Sequence, residues 1–213
     1  MGCITTLELD GIGLDCNDIP TGGIKNIYIA NACDVILGVN DDATTADFGK
    51  VTILAFDAGK VFKLDFNKKD GVTGWSEAKT IDDTGLVTNV PTLTMEFPKM
   101  TKEKRNMIND LLNPNVSVLL FVETAADTHH ILGAKYGMAA KSGAGATGTG
   151  RTEKNAYTLT FDGEESELSY DLTDKWANVV NKVVPANGGE GDYSTIPAGT
   201  VIPRLGCIPA SPV

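Results

Sequence analysis

One stretch alone in this 213-residue chain carries the hydrophobic spacing of a helix; the other patterned segments alternate with period two. The exception is "PKMTKEKRNMINDLLNPN", Pro98 to Asn115, where Met107, Ile108, Leu111 and Leu112 fall on one helical face. Thr101 suits the N-cap, Glu103 suits the positive end of the helix dipole, and Pro114 stops the run. A helix of about three turns with one apolar stripe packs on a sheet rather than being enclosed.

The remaining segments read as short strands. "IKNIYIA" (Ile24–Ala30) alternates. "KVTILAF" (Lys50–Phe56) and "VFKLDF" (Val61–Phe66), joined by "DAGK", predict a hairpin, with Phe62, Leu64 and Phe66 on one face. "TLTMEF" (Thr92–Phe97) places Leu93, Met95 and Phe97 together. "SVLLFVE" (Ser117–Glu123) is nearly all apolar, which predicts the most buried strand, with "HHILGAKYG" returning beside it. "NAYTLTF" (Asn155–Phe161) and "ELSYDL" (Glu167–Leu172), joined by "DGEE", predict a second hairpin. The expected class is mainly β, one domain over residues 1–182. From residue 183 to 213 the chain changes character. Five of its nine prolines lie there, which excludes a central strand or a long helix. Yet Tyr193, Ile196, Val201, Ile202 and Leu205 are apolar, so an extended arm lying along its own or a neighbour's surface is expected.

The formal charge of −10 argues against tight nucleic-acid binding, which depends on Lys and Arg neutralising phosphates. It leaves room for a surface that DNA slides past. No apolar run approaches the ~20 residues of a membrane helix. The first residues lack the basic start and apolar stretch of a signal peptide, so synthesis in a cytoplasm as a soluble protein is expected. Cys3, Cys16, Cys33 and Cys207 lack zinc-knuckle spacing and read as free thiols.

"SGAGATGTGRT", Ser142 to Thr152, imitates two phosphate-binding patterns. Both need a helix to begin directly afterwards, so that its N–H groups meet the anion. The residues that follow favour a strand instead, and Arg151 stands where the phosphate loop requires lysine. The glycines therefore predict a flexible connection of some fifteen residues, Ala139 to Glu153, available to a partner through Ser142, Gly143, Gly145, Gly148, Gly150 and Arg151. Adjacent His129 and His130 point to opposite faces of a strand, which suits no shared metal. "NDDATTAD" lacks the glycine and final glutamate of a calcium loop. Trp75 and Trp176 read by default as core residues, with a half-buried edge position or an interface anchor as the alternatives. No nucleophile elbow, paired acid–base carboxylates or cofactor motif is present, so neither an enzyme nor a cofactor is expected.

The order of "LDCNDIPTGGIKNIYIAN", "KVFKLDF", "GWSEAKTIDDTG", "PTLTMEFPKMTKEKRNMINDLL", "VSVLLFVETAADTHHILGAKYGM", a glycine-rich loop and "NAYTLTFDGEE" resembles a family of tail proteins of tailed phages. Its relatives include phages and prophages of Bacteroides-type bacteria and the crAss-like group. The resemblance covers about Leu14 to Leu172, with Ala156 where glycine is common, and the arm departs from the minimal pattern. It implies a tail-tube-like β-sandwich or small barrel with one flanking α-helix, assembled in the host cytoplasm into a ring or tube of the virion tail. The implied partners are copies of itself, adjoining tail or portal-proximal proteins, and genome DNA passing through a channel without specific binding. No membrane is involved in that reading. The alternative is a β-sandwich binding module, of the capsid-decoration or adhesin type.

Overall fold

The computed structural model describes residues 22–39, 51–56, 61–68, 72–150 and 153–172. In chain order these form β1 (Ile24–Asn31), β2 (Val35–Val39), β3 (Val51–Phe56), β4 (Val61–Leu64), β5 (Gly74–Ile81), β6 (Val87–Pro98), α1 (Lys102–Leu111), β7 (Val118–Thr124), β8 (His129–Leu132), β9 (Ala139–Ala146), β10 (Ala156–Asp162) and β11 (Tyr170–Asp171). A first antiparallel sheet has the order β11-β8-β7-β1-β4, a second has β5-β6-β10-β9, and β2 pairs with β3. The protein is mainly β, a sandwich of two antiparallel sheets with one flanking helix.

The inner faces of the two sheets share one core. Ile27, Ile29, Leu64, Leu120 and Val122 of the first sheet pack with Leu93, Met95, Phe97, Leu159 and Phe161 of the second. A second core lies on the opposite face of the first sheet, where Leu119, Phe121 and Ile131 meet Val35 and Leu37 of β2 and Leu172 beyond β11. β7 therefore stands between two apolar layers, and Val118 to Val122 are each at most 3 % exposed. That is why "SVLLFVE" is continuously apolar rather than alternating.

α1 begins where the sequence places it. The Thr101 hydroxyl accepts from Lys104 N at 3.4 Å, and the helix closes at Leu112 before Pro114. Ile108 is buried in the inter-sheet core, with Met107, Leu111 and Leu112 half-buried beside it. The helix rests on β9 and β10. Gly143 makes this approach possible: a Cβ there would stand 2.9 Å from Leu112 Cδ1 and 3.0 Å from Ile108 Cγ2. At Gly145 a Cβ would stand 2.7 Å from the Tyr157 ring.

Five expectations are corrected. The glycine-rich connection is not a loop over its length: Ala139–Ala146 is a strand, paired with β10 from Ala146↔Ala156 to Ala139↔Asp162 with one register shift at Lys141. β3 and β4 do not form a hairpin; β3 pairs with β2 while β4 pairs with β1, so long-range pairing overrides the local turn signal. The expected 155–172 hairpin is also absent. After β10 the chain crosses between sheets, and Tyr170–Asp171 pairs with β8 instead. Leu64 and Phe66 are buried as expected, but Phe62 on the edge strand is 60 % exposed. Cys33 is disulfide-bonded rather than a free thiol.

If the helix seats on glycine, then Gly143→Val forces Leu112 and Ile108 aside. The expected loss is about 1–3 kcal/mol of stability, typical of an overpacked site. Chemical denaturation of the two proteins measures it; an unchanged midpoint would show that the helix does not rest there.

Candidate functional site

The sequence-predicted partner-binding residues divide into three groups. Ser142, Gly143 and Gly145 lie in β9, paired on one side to β10. Gly148 and Gly150 lie in the turn between β9 and β10, where Glu153 closes the turn by accepting from Thr149 N and from its hydroxyl. Those bonds hold the Glu153 carboxyl below the usual carboxylate range. Arg151 and the arm residues Tyr193, Ile196, Val201, Ile202 and Leu205 lie outside the described residues. The described part of the glycine segment is thus a strand and a capped turn. No helix follows it, so it offers no cluster of N–H groups to a phosphate.

β9 is an edge strand of the second sheet, and β5 is the other edge. Both are eight residues long and largely exposed. Strands conventionally protect such edges with proline, charge or bulges. Here β9 reads "AAKSGAGA", with a one-residue register shift at Lys141, whose ammonium bonds Asp162 of β10, while β5 carries Glu77 and Lys79. Among the described residues neither edge has an outer strand.

The β5–β6 hairpin projects beyond the sheet. β6 pairs with β10 only from Thr92 to Pro98; Val87–Pro91 is held by β5, by Gly163 N donating to Pro91 O, by the Asn89 side chain donating to Glu167 O and by the isolated Asn89–Glu165 bridge. Its tip is stiff. Asp82 Oδ1 accepts from Thr84 N at 2.8 Å, Thr84 Oγ1 at 2.6 Å and Leu86 N at 2.8 Å. The Thr84 hydroxyl first, and then the backbone donors, hold that carboxyl below its ordinary range. The turn presents Ile81 at 72 % and Leu86 at 63 % exposure. Beside it an open groove of about 890 Å³ is lined by Leu86, Val87, Val116, Tyr136, Met138 and Glu164 among others. Sequence reasoning missed this tip, although "IDDTGL" holds its signal: an Asp–Gly turn flanked by isoleucine and leucine.

His129 and His130 separate as expected. His129 Nε2 lies 3.9 Å from Glu123 Oε1, in a surface group with Lys25 and Asn26. His130 Nδ1 sits 2.7 Å from Asp171 Oδ1, and Nε2 sits 2.9 Å from Thr128 Oγ1. Its ring meets Trp75 of the other sheet edge-on at 4.6 Å. A hydroxyl, an imidazole and a carboxylate in line have the connectivity of a nucleophile–base–orienter chain. Thr124 also bonds the same Thr128 hydroxyl, and neither the groove nor the small cavity beside Asn89 is lined by any of the three residues. The bonded groups tie β7, β8 and β11 together. Among the described residues no group of three or more His, Cys, Asp or Glu is placed to hold a metal, and no helix is long and apolar enough to cross a membrane.

No family model, curated protein or solved structure matches the chain.

Burial lowers the His130 pKa, outweighing Asp171 and Glu77, while His129 adds to the lowering. The native state thus favours the neutral ring more than the unfolded chain does. Its contribution to stability is complete above an unfolded pKa of about 6.5 and is lost as pH falls through the lower folded value. Unfolding free energies measured across that range should fall towards acid more steeply for the wild type than for His130→Gln. Parallel curves would show that His130 does not titrate this way.

Proposed function

We propose that this chain is a virion structural protein that assembles with copies of itself into a ring or tube of a phage tail, around the channel through which DNA passes. The observation that carries the reading is the second sheet, which among the described residues ends on both sides in edge strands with no outer partner. An even number of antiparallel strands makes its outer strands antiparallel to each other. When one copy follows another in the same orientation, β9 of the first runs antiparallel to β5 of the next. Eight residues on each side then pair without any change of fold.

Three further features support it. The order of sequence motifs resembles that of tail proteins. The stiff apolar hairpin tip projects past the sheet and suits contact with a neighbour. The net charge of −10 suits a wall along which DNA moves without adhering. The 183–213 arm and the glycine turn have the composition of segments that a neighbour covers. A binding module of the capsid-decoration or adhesin type is the competing reading, and the complete apolar core of the single chain favours it.

Sizing chromatography with light scattering and negative-stain imaging of the full chain separate the two. Rings or tubes are expected for the wild type. Ala144→Lys with Ala146→Lys, both on the exposed side of β9, should leave a folded monomer with an unchanged unfolding midpoint. A wild type that stays monomeric at high concentration and has no place in a virion would overturn the proposal in favour of the module.

A further inference from the structure

We infer that a single buried water belongs to this fold at Asn89, where it completes a polar knot between the two sheets. Asn89 is fully buried in β6. Its N–H donates to Glu165 O at 2.7 Å, and its carbonyl accepts from Glu165 N at 2.8 Å. The side-chain Nδ2 donates to the Glu167 carbonyl at 2.9 Å. That contact fixes the amide's orientation, because a flipped amide would set two oxygens against each other. Oδ1 is then the one group of Asn89 with no donor from the protein. A buried acceptor left in that state is destabilising, and native proteins commonly meet it with an ordered water.

The surroundings specify the occupant. Asn89 lines a cavity of about 10 Å³ together with Glu77, Ile131, Glu165, Glu167 and Tyr170. That volume is at the lower end of the roughly 10–15 Å³ that admits one water. The neighbouring carboxylates already accept from the protein. Glu77 accepts from Ser169 N at 3.1 Å, Glu165 from Lys135 N at 3.2 Å and Tyr136 N at 3.1 Å, and Glu167 from Tyr170 Oη at 2.7 Å. The site is therefore rich in acceptors and short of one donor. Water is small, neutral and donates twice: once to Asn89 Oδ1 and once to another acceptor of the lining. A metal ion does not suit it, since no grouping of carboxylates among the described residues is arranged as a ligand set.

The knot has mechanical meaning. Glu165 ties β6 of the second sheet to the turn after β8 of the first, through Lys135 and Tyr136. The water sits beside that tie, under the base of the projecting hairpin. A high-resolution crystal structure of the full chain tests it, independently of the assembly reading. One density peak is expected within roughly 2.6–3.2 Å of Asn89 Oδ1 and of a second polar atom. The peak should vanish in Asn89→Leu. A protein donor on Oδ1, a closed cavity without density, or a peak with metal-like coordination would overturn the inference. Should Asn89→Leu not fold, wild-type water–amide cross-relaxation decides. Slowly exchanging water is expected at the Asn89 and Glu165 amides, and its absence sinks the idea.

Discussion

The fold depends on β7 being dry on both faces. Leu120 and Val122 enter the core between the two sheets, while Leu119 and Phe121 enter the core beneath β2. Burying each such side chain contributes about 1.5–3 kcal/mol relative to leaving it in water. A strand with one wet face needs only alternate apolar residues; this one needs five in a row, and Val118–Val122 supplies them. β1 and β8 then align on either side of β7, and the second sheet and β2 cover its two faces.

The second constraint is steric. A helix that closes one side of a sandwich must approach a strand closely, and side chains on that strand set the distance. β9 solves this with glycine at 143 and 145, facing Ile108, Leu112, Met100 and Tyr157. Of the glycines that imitate a phosphate loop, Gly143 and Gly145 are accounted for by this approach and Gly148 by its positive φ and its packing on Glu153.

Much of this was legible in the residues themselves. The helix, its Thr101 cap and its buried stripe follow from spacing, and so do β1, β7, β8 and β10. What was illegible has a physical cause in each case. Gly, Ala and Ser give β9 no hydrophobic period, so only its partner β10 reveals it as a strand. β11 is two residues long, and its place is set by β8 and by the burial of Leu172 rather than by the nearby "DGEE" turn. Of the candidate partner-binding residues, Ser142, Gly143 and Gly145 belong to an edge strand instead of a slack loop. The apolar tip at Ile81 and Leu86 escaped notice because its two residues are separated by a turn and form no periodic pattern.

The composition of β9 has a consequence for the proposed assembly. Register between strands is normally fixed by side chains that match across the pair, and a glycine-rich strand specifies it weakly. β9 brings small residues and one lysine already bonded within its own sheet, so it cannot by itself choose among neighbouring registers on β5. Selection must come from parts that do not slide freely. The Asp82-locked tip, with Ile81 and Leu86 exposed on it, is such a part: a shift of one residue, about 3.4 Å, moves those side chains off any pocket that fits them. In that arrangement the glycine-rich edge supplies the hydrogen bonds, and the hairpin supplies the choice of register. The roles are complementary, which is why an edge this poor in large side chains is compatible with a defined ring rather than open-ended aggregation.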